Sequence, residues 1–382
     1  MKKALIVATV GGFLGQFEMN NVKLLQQLGY EVHYAANFDS DIYHIDINKL
    51  EQSQVVLHPI SMVKNPMKLR EQVKNYHALK KMIEEFEIDL VHCHTPVGGV
   101  LGRIASRFAK RKVYVIYTAH GFHFYQGASW KNWIYYPIER LAARWTDCLI
   151  TINREDFERA RAFSYKSNGY VAQIPGVGLD KKKYYPREKS SNKKEDVFQL
   201  VTIGELNRNK NLEVVIRALQ KVNRPEIHYE IYGRGRSVAY IENVIKECEL
   251  SEKVHYMGYG NHPEEILQKA DLFLFPSIRE GLGMAALEAL ACGVPVVALD
   301  NRGTREYMVN GKNGYVCIEN TVEAFAEKIE KAYLLYKEGK FREVFPKEIV
   351  CDVSRFELSE NEKVMKKIYE RADKSIRDYG CT

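Results

Sequence analysis

Ser277-Ile278-Arg279-Glu280-Gly281-Leu282-Gly283-Met284-Ala285-Ala286-Leu287-Glu288 follows directly on Asp271–Pro276, an apolar stretch that reads as a buried strand. Two carboxylates, Glu280 and Glu288, are separated by seven residues, and two glycines lie between them. The pattern is strand, glycine turn, helix. Gly281 and Gly283 remove side-chain bulk, so a ligand can approach the backbone. A helix that starts near Gly283 leaves its first N–H groups without internal partners. Together with the helix dipole they make a place for phosphate. Glu280 stands in the turn before that place, and Glu288 lies about 7.5 Å further along the axis at 1.5 Å per residue. A diphosphate at the helix start would have a sugar on the Glu280 side and a ribose on the Glu288 side. An ionised carboxylate suits both, because it only accepts hydrogen bonds and a hydroxyl always has one to donate.

The same alternation runs through the chain. Strands are expected at Ala4–Val10, Glu31–Asn37, Val55–Ile60, Leu90–Thr95, Lys112–Thr118, Asp147–Asn153 and Tyr170–Pro175. They recur at Gln199–Gly204, His228–Tyr232, Val254–Gly258, Leu272–Pro276 and Pro295–Leu299. Helical patterns such as Phe17–Leu28, closed by Gly29, and Lys68–Phe86 lie between them. Asn261-His262-Pro263-Glu264 reads as a helix cap with an early proline and a reciprocal glutamate. Apolar strands in alternation with helices imply an α/β chain of parallel sheets covered on both faces, with ligands at the carboxyl ends of the strands. At 382 residues, two domains are expected. Asp180–Asp196 is charged and without period, so residues 181–196 are taken as the linker between domains at 1–180 and 197–357. Leu358–Asp378 reads as a closing helix; the pattern leaves its domain open, and packing back on the N-terminal domain is one placement.

Composition narrows the function classes. Hydrophobic content of 46% and charged content of 27% are those of a soluble globular protein. A net charge of +7 excludes a dedicated nucleic-acid binder but permits attraction to anionic ligands or lipid headgroups. Seven cysteines without metal-like or disulfide spacing point to reduced thiols and a cytoplasmic setting. Met1–Val10 fits a first core strand better than a signal, since Gly11-Gly12 and a polar helix follow it. No apolar run approaches the roughly 18 residues of a membrane span.

The quoted residues resemble retaining glycosyltransferases of family 4, whose GT-B fold sets two Rossmann-like, doubly wound domains facing across a cleft. Glu280 to Glu288 matches the family's pair of glutamates, and Ala291-Cys292-Gly293-Val294-Pro295-Val296-Val297-Ala298 matches the segment after it. Gly303-Thr304-Arg305-Glu306, Asn310-Gly311-Lys312-Asn313-Gly314 and Tyr232-Gly233-Arg234-Gly235 are similar to further elements. His94-Thr95-Pro96 and Thr118-Ala119-His120-Gly121-Phe122-His123-Phe124 resemble a bacterial subgroup that builds capsule, exopolysaccharide or lipid-linked glycans.

The resemblance implies roles. Glu280 would contact the donor sugar and Glu288 the ribose. Gly281 and the backbone at Leu282 and Gly283 would hold the diphosphate, with Gly233 and Gly235 nearby. Lys210 falls on the phosphate-binding lysine. The arginine that usually follows the glycine of that segment is Glu205 here, so Glu205 is expected to point away and Arg208 to supply the missing charge. Gly11 and Gly12 would let backbone approach the donor phosphate or the acceptor, and His120 would meet the reacting sugar. The implied donor is a nucleotide-sugar, UDP by default, with no metal or other cofactor. The implied acceptor is a sugar or an undecaprenyl-diphosphate-linked glycan, reached at the inner face of the cell membrane. Retention of configuration is implied, with protein cations stabilising the leaving diphosphate.

Other readings accompany these. His92-Cys93-His94 with His120 and His123 invites zinc, but the two motifs end separate strands, alternation puts Cys93 opposite its neighbours, and no cysteine pair has structural-zinc spacing. His120 could be a satisfied strand-end histidine, and Gly11-Gly12 and Gly233-Arg234-Gly235 could be plain turns. Trp130–Trp145 has apolar residues at helical spacing with cations between them, which suits either core packing or an anionic membrane surface. Arg103, Arg107, Lys110, Arg111 and Lys112 form a second basic cluster. A nucleotide-sugar 2-epimerase of similar fold, or a non-catalytic nucleotide- or glycan-binding subunit, are the alternatives to a transferase.

Overall fold

The structure, a computed structural model, describes residues 1–39, 46–65, 67–186 and 197–380. The chain divides into two units, Met1–Gly178 with Ser359–Thr382, and Leu179–Leu358. Most of the stretch expected as a linker, residues 187–196, lies outside the described residues. Its first part is not free: Leu179 N–H bonds to Phe356 O at 2.8 Å and Tyr184 is buried, so residues 179–186 are part of the second unit.

The first unit holds seven parallel strands: β1 (Lys2–Val10), β2 (Tyr30–Asn37), β3 (Val55–Pro59), β4 (Leu90–His94), β5 (Tyr114–Ala119), β6 (Cys148–Thr151) and β7 (Tyr170–Gln173). Their order is β3-β2-β1-β4-β5-β6-β7. β1, β4, β5 and β6 are buried along nearly their whole length, as unbroken apolar runs in a doubly covered sheet should be. The order reverses between β1 and β4, and that is where such a sheet offers a crevice at its strand ends. The helix Leu358–Gly380 closes this unit. Its Tyr369 hydroxyl meets His92 Nδ1 at 2.9 Å, Asn361 reaches Gly176 O, and Asp373 pairs with Lys2 and accepts from Tyr30.

The second unit holds β8 (Phe198–Ile203), β9 (Ile227–Tyr232), β10 (Val254–Gly258), β11 (Leu272–Phe275), β12 (Val296–Leu299) and β13 (Gly314–Cys317), ordered β10-β9-β8-β11-β12-β13 and all parallel. β13 is absent from the sequence reading, because its first residue is a glycine at the end of a turn motif. That glycine is required: a Cβ on Gly314 would stand 1.9 Å from Val296 O. The helix expected to be capped at Asn261 starts at Pro263, with His262 in the cap position and no side-chain cap bond.

The second basic cluster does not form. Arg103 is fully buried on the helix Pro96–Phe108, bonded to Glu139 at 2.6 Å and to Gly99 O at 2.8 Å, and stacked on the Tyr117 ring. Arg111 pairs with Asp89 at 2.6 Å. Only Arg107, Lys110 and Lys112 are exposed. Arg103 and Glu139 join two helices over the end of β5. Removing one partner strands the other charge in the core, so Glu139→Ala is expected to cost about 3–5 kcal/mol in chemical denaturation. A loss below about 1 kcal/mol would show that Arg103 finds water or another partner.

Candidate functional site

In the second unit, the turn after β11 and the turn after β8 meet at the point where strand order reverses. Asparagines fasten them together. Asn209 Nδ2 donates to Arg279 O at 2.8 Å, Arg279 N–H returns a bond to Asn209 Oδ1 at 3.1 Å, and Ile278 N–H donates to Asn209 O at 2.9 Å. Asn211, in left-handed backbone, reaches Pro276 O at 3.2 Å. The consequence is a contact between residues 70 apart: Lys210 Nζ lies 2.6 Å from Glu280 Oε1. Both side chains keep only a small opening, 19% and 15% exposed. Lys210 also sits 5.2 Å above the Phe275 ring.

The helix following Glu280 runs Met284–Ala291, with Gly283 in the cap position at φ +92° and no side-chain cap. The sequence reading placed its start correctly. Left-handed backbone explains a glycine here, and space explains it further: a Cβ would fall 2.8 Å from Phe275 and 2.9 Å from the Tyr307 hydroxyl. The Ala286 N–H bonds to Gly283 O at 3.1 Å. Leu282 is buried and pins the turn, while Gly281 has no left-handed φ.

Glu288 stands further down the same helix in a different environment. Burial pushes its carboxyl up to about 7, partly opposed by a hydrogen bond from Tyr184 and the charge of Lys183. Tyr184 comes from the stretch expected as a linker, and Lys183 is anchored to Glu264 at 3.3 Å. So two glutamates of one motif have different partners, Glu280 a lysine and Glu288 a phenol.

Other predicted residues are placed less decisively. Arg208 is exposed and has no ion-pair partner among the described residues; Glu205 is exposed as well. Gly233 and Gly235 are required by backbone and packing, with φ of +146° and +158°. A Cβ on Gly233 would lie 1.8 Å from Gly204 O, and one on Gly235 would lie 2.1 Å from Leu206 O. They let the turn after β9 press on the turn after β8, where Leu206 N–H bonds to Arg234 O at 2.8 Å.

In the first unit, Gly11 and Gly12 are buried at the end of β1. The Gly11 N–H is already used, on Asn37 O at 2.7 Å, and its carbonyl accepts from Tyr34 at 3.0 Å. His120 follows β5 and joins His94, the last residue of β4, with Nδ1 of His94 3.2 Å from Nε2 of His120. Glu18 completes the group, its Oε1 3.5 Å from His94 Nδ1 and 3.9 Å from His120 Nε2. Burial lowers His120 to about 4 and raises Glu18 to about 8. His92 is separate, both ring nitrogens being taken by Tyr369 and Thr118. Cys93 faces the other way, against Gly102, as alternation requires.

Four residues at these sites escaped sequence reading. Asn301 is buried; its amide donates to Ser277 O at 2.9 Å while its carbonyl oxygen accepts from Gly303 at 3.0 Å and Thr304 at 3.1 Å. Arg302 donates from Nε to the Glu280 carbonyl at 3.1 Å. Both follow β12 directly, so polar residues at a strand's carboxyl end were the available signal. Tyr184 was hidden in a charged run. Glu18 closes a π-helical turn, Leu14–Glu18, whose backbone no side-chain pattern announces.

Comparison with known proteins agrees with this architecture. Residues 17–175 match the family model of glycosyl transferase 4-like domains, and residues 186–348 that of glycosyl transferases group 1. A Bacillus subtilis (strain 168) protein named "Putative glycosyltransferase EpsD" is 38% identical over 345 residues, covering 87% of each chain. An Escherichia coli protein named UDP-Gal:alpha-D-GlcNAc-diphosphoundecaprenol alpha-1,3-galactosyltransferase is 28% identical over 271 residues, 67% of this chain and 69% of its own. Among solved structures, Anabaena HepE in complex with UDP and glucose superposes with a TM-score of 0.74 at 18% identity, over 97% of this chain and all of its own, and shares the GT-B fold. With both sheets, both family models and a relative matched over most of its length, the chain belongs to the group 1 glycosyltransferases, with a 4-like N-terminal domain.

Proposed function

We propose that this enzyme is a retaining glycosyltransferase that takes a sugar from a UDP-sugar and adds it to a lipid-diphosphate-linked glycan during cell-surface polysaccharide assembly. The observation that carries the reading is the Lys210–Glu280 pair beside the open helix start at Gly283. Bond cleavage at the anomeric carbon leaves charge on the departing diphosphate. Fixed donors and cations aimed at that charge are the main means of lowering the barrier. Lys210 and the N–H groups at the start of the helix Met284–Ala291 suit that task. Arg208 is free to swing toward the same anion. Glu280, released from Lys210 by the incoming phosphate, accepts from the sugar hydroxyls, and Glu288 from the ribose. The two glutamates grip the donor; neither acts as a nucleophile, and the departing phosphate takes the acceptor's proton on the same face.

UDP as the base is supported by the UDP bound in HepE, and a diphosphoundecaprenol acceptor by the name of the Escherichia coli relative. No helix among the described residues is long and apolar enough to cross a membrane. A surface that could meet one exists. The helical run Trp130–Ala143 leaves Trp130 79%, Ile134 65% and Leu141 49% exposed, interspersed with exposed Lys131, Arg140 and Arg144. Its other side packs inward through Tyr135, Tyr136 and Ala143. Apolar anchors flanked by cations fit an anionic bilayer, so we place the enzyme at the inner face of the cell membrane.

Three outcomes test this. Lys210→Ala, shown folded by its melting curve, should lower transfer from UDP-sugars about 100- to 1000-fold. Near-normal turnover would remove Lys210 from the phosphate site, and formation of an epimer from donor alone would replace transfer altogether. Glu288 is neutral below about 7 and ionised above it, and only the ionised form is a pure acceptor for the ribose hydroxyls. UDP binding measured by calorimetry should therefore tighten several-fold from about pH 6 to about pH 8, and Glu288→Gln should flatten the profile. A wild-type profile already flat would dissociate Glu288 from the ribose. Finally, the protein should float with anionic liposomes at low salt and much less with neutral ones, and Trp130→Ser with Ile134→Ser should abolish flotation. Equal recovery of wild type and double variant would end the membrane reading.

A further inference from the structure

The resemblance gives His120 a sugar to meet, but glycosyl transfer gives no reason for Glu18 and His94 to converge on it. We propose that Glu18 Oε1, His94 Nδ1 and His120 Nε2 bind a divalent transition cation of the zinc class, with water as the fourth ligand.

The geometry comes first. The three ligand atoms form a triangle with sides of 3.2, 3.5 and 3.9 Å. A point equidistant from all three lies about 2.1 Å from each, within the 2.0–2.2 Å that zinc keeps from imidazole nitrogen and carboxylate oxygen. Two histidines, one glutamate and an open position make the donor set of zinc sites that hold a water. Among the described residues these three are the group of histidine, cysteine and acidic side chains close enough together to share an ion.

Each ligand is held. Glu18 ends the π-helical turn, and its other oxygen accepts from Asn21 Nδ2 at 2.5 Å, which leaves Oε1 facing the histidines. His94 ends β4 just before Thr95, whose φ of +61° is strained for a β-branched residue. Thr95 is locked by hydroxyl contact with Thr9 at 2.7 Å. The Phe13 ring lies 5.3 Å from His94 and 5.2 Å from His120, shielding one side. His120 keeps 23% of its side chain exposed, the direction from which an ion and its water would enter.

Charge gives the second argument. Glu18 is 2% exposed, and no lysine or arginine among the described residues pairs with it. A buried carboxylate without a cation is costly, and a divalent ion supplies the missing charge. His92 and Cys93 cannot join, being respectively hydrogen-bonded at both nitrogens and turned to the opposite face. The sequence reading set zinc aside for these histidines; the proposed site uses two of them, and its third ligand is a glutamate from another element. The site lies wholly within the first unit, and its test requires no nucleotide-sugar. Its failure is thus separable from failure of the donor reading.

Tag-free full-length protein, stripped by a chelator, would be titrated with Co(II) and back-titrated with Zn(II). The expected result is one equivalent of Co(II) with the visible d–d bands of a four-coordinate nitrogen–oxygen site, displaced by zinc. Glu18→Gln and His120→Ala, each checked for folding by its melting curve, should weaken binding on the order of 100-fold, while His123→Ala leaves it unchanged. Substoichiometric binding by wild type would overturn the proposal. So would thiolate charge-transfer bands, or Co(II) binding that survives both Glu18→Gln and His120→Ala.

Discussion

The constraint on which the candidate site depends is the pairing of β8 with both β9 and β11. Parallel register aligns Leu200 with Leu272 and Val201 with Phe273, so the carboxyl ends of strands separated by 70 residues emerge side by side. The ion pair of Lys210 and Glu280 follows from that alignment. Neither loop could present its charge alone. A lysine at a helix start is unfavourably placed against the dipole, and on the proposed reading a carboxylate beside the phosphate would repel it. Each is tolerable because the other is there, and on the proposed reading both become available when an anion takes the carboxylate's place on Lys210.

The turns around this pair contain little regular hydrogen bonding, and side-chain amides do the work of a ladder. Asn209 and Asn211 bind the β8 turn to the β11 turn, Asn301 binds the β12 turn to Ser277, and Asn313 takes Tyr307 O at 2.8 Å before β13. An amide carries donor and acceptor at once, so it can satisfy two backbone groups that face different ways. Such cross-links fix loop geometry before a ligand arrives, and that preorganisation is what makes the fixed dipoles effective.

This also decides what was legible in the sequence. The strand–glycine–helix element around Gly283 was readable because its requirements are local: an apolar run, a residue free to adopt φ +92°, and a helix after it. Alternating strands and helices gave the doubly wound class for the same reason. What stayed hidden depends on partners distant in sequence. Arg103 looked like surface charge until the fold supplied Glu139. Tyr184 sat in a lysine-rich run, and nothing local predicted that its ring would be buried against Glu288. Gly233 and Gly235 looked like ligand glycines, though the neighbouring turn alone leaves no room for a side chain. Glu18 could not be matched to His94 without knowing that a π-helical turn redirects it.

Glu280 and Glu288 show how one fold gives two identical side chains separate properties. Glu280 lies in an ion pair, 2.6 Å from Lys210 Nζ. Glu288 lies where burial opposes ionisation, so its carboxyl rises to about 7 and only a phenol and a more distant lysine restrain it. Had both been ionised and solvated, their order along the motif would carry no chemical distinction. Separated in this way, the first glutamate is held in an ion pair with Lys210, whereas the second changes charge near neutrality. The sequence spacing sets how far apart the two lie along the helix, but Lys210 and Tyr184, from loops on either side, determine what each one is.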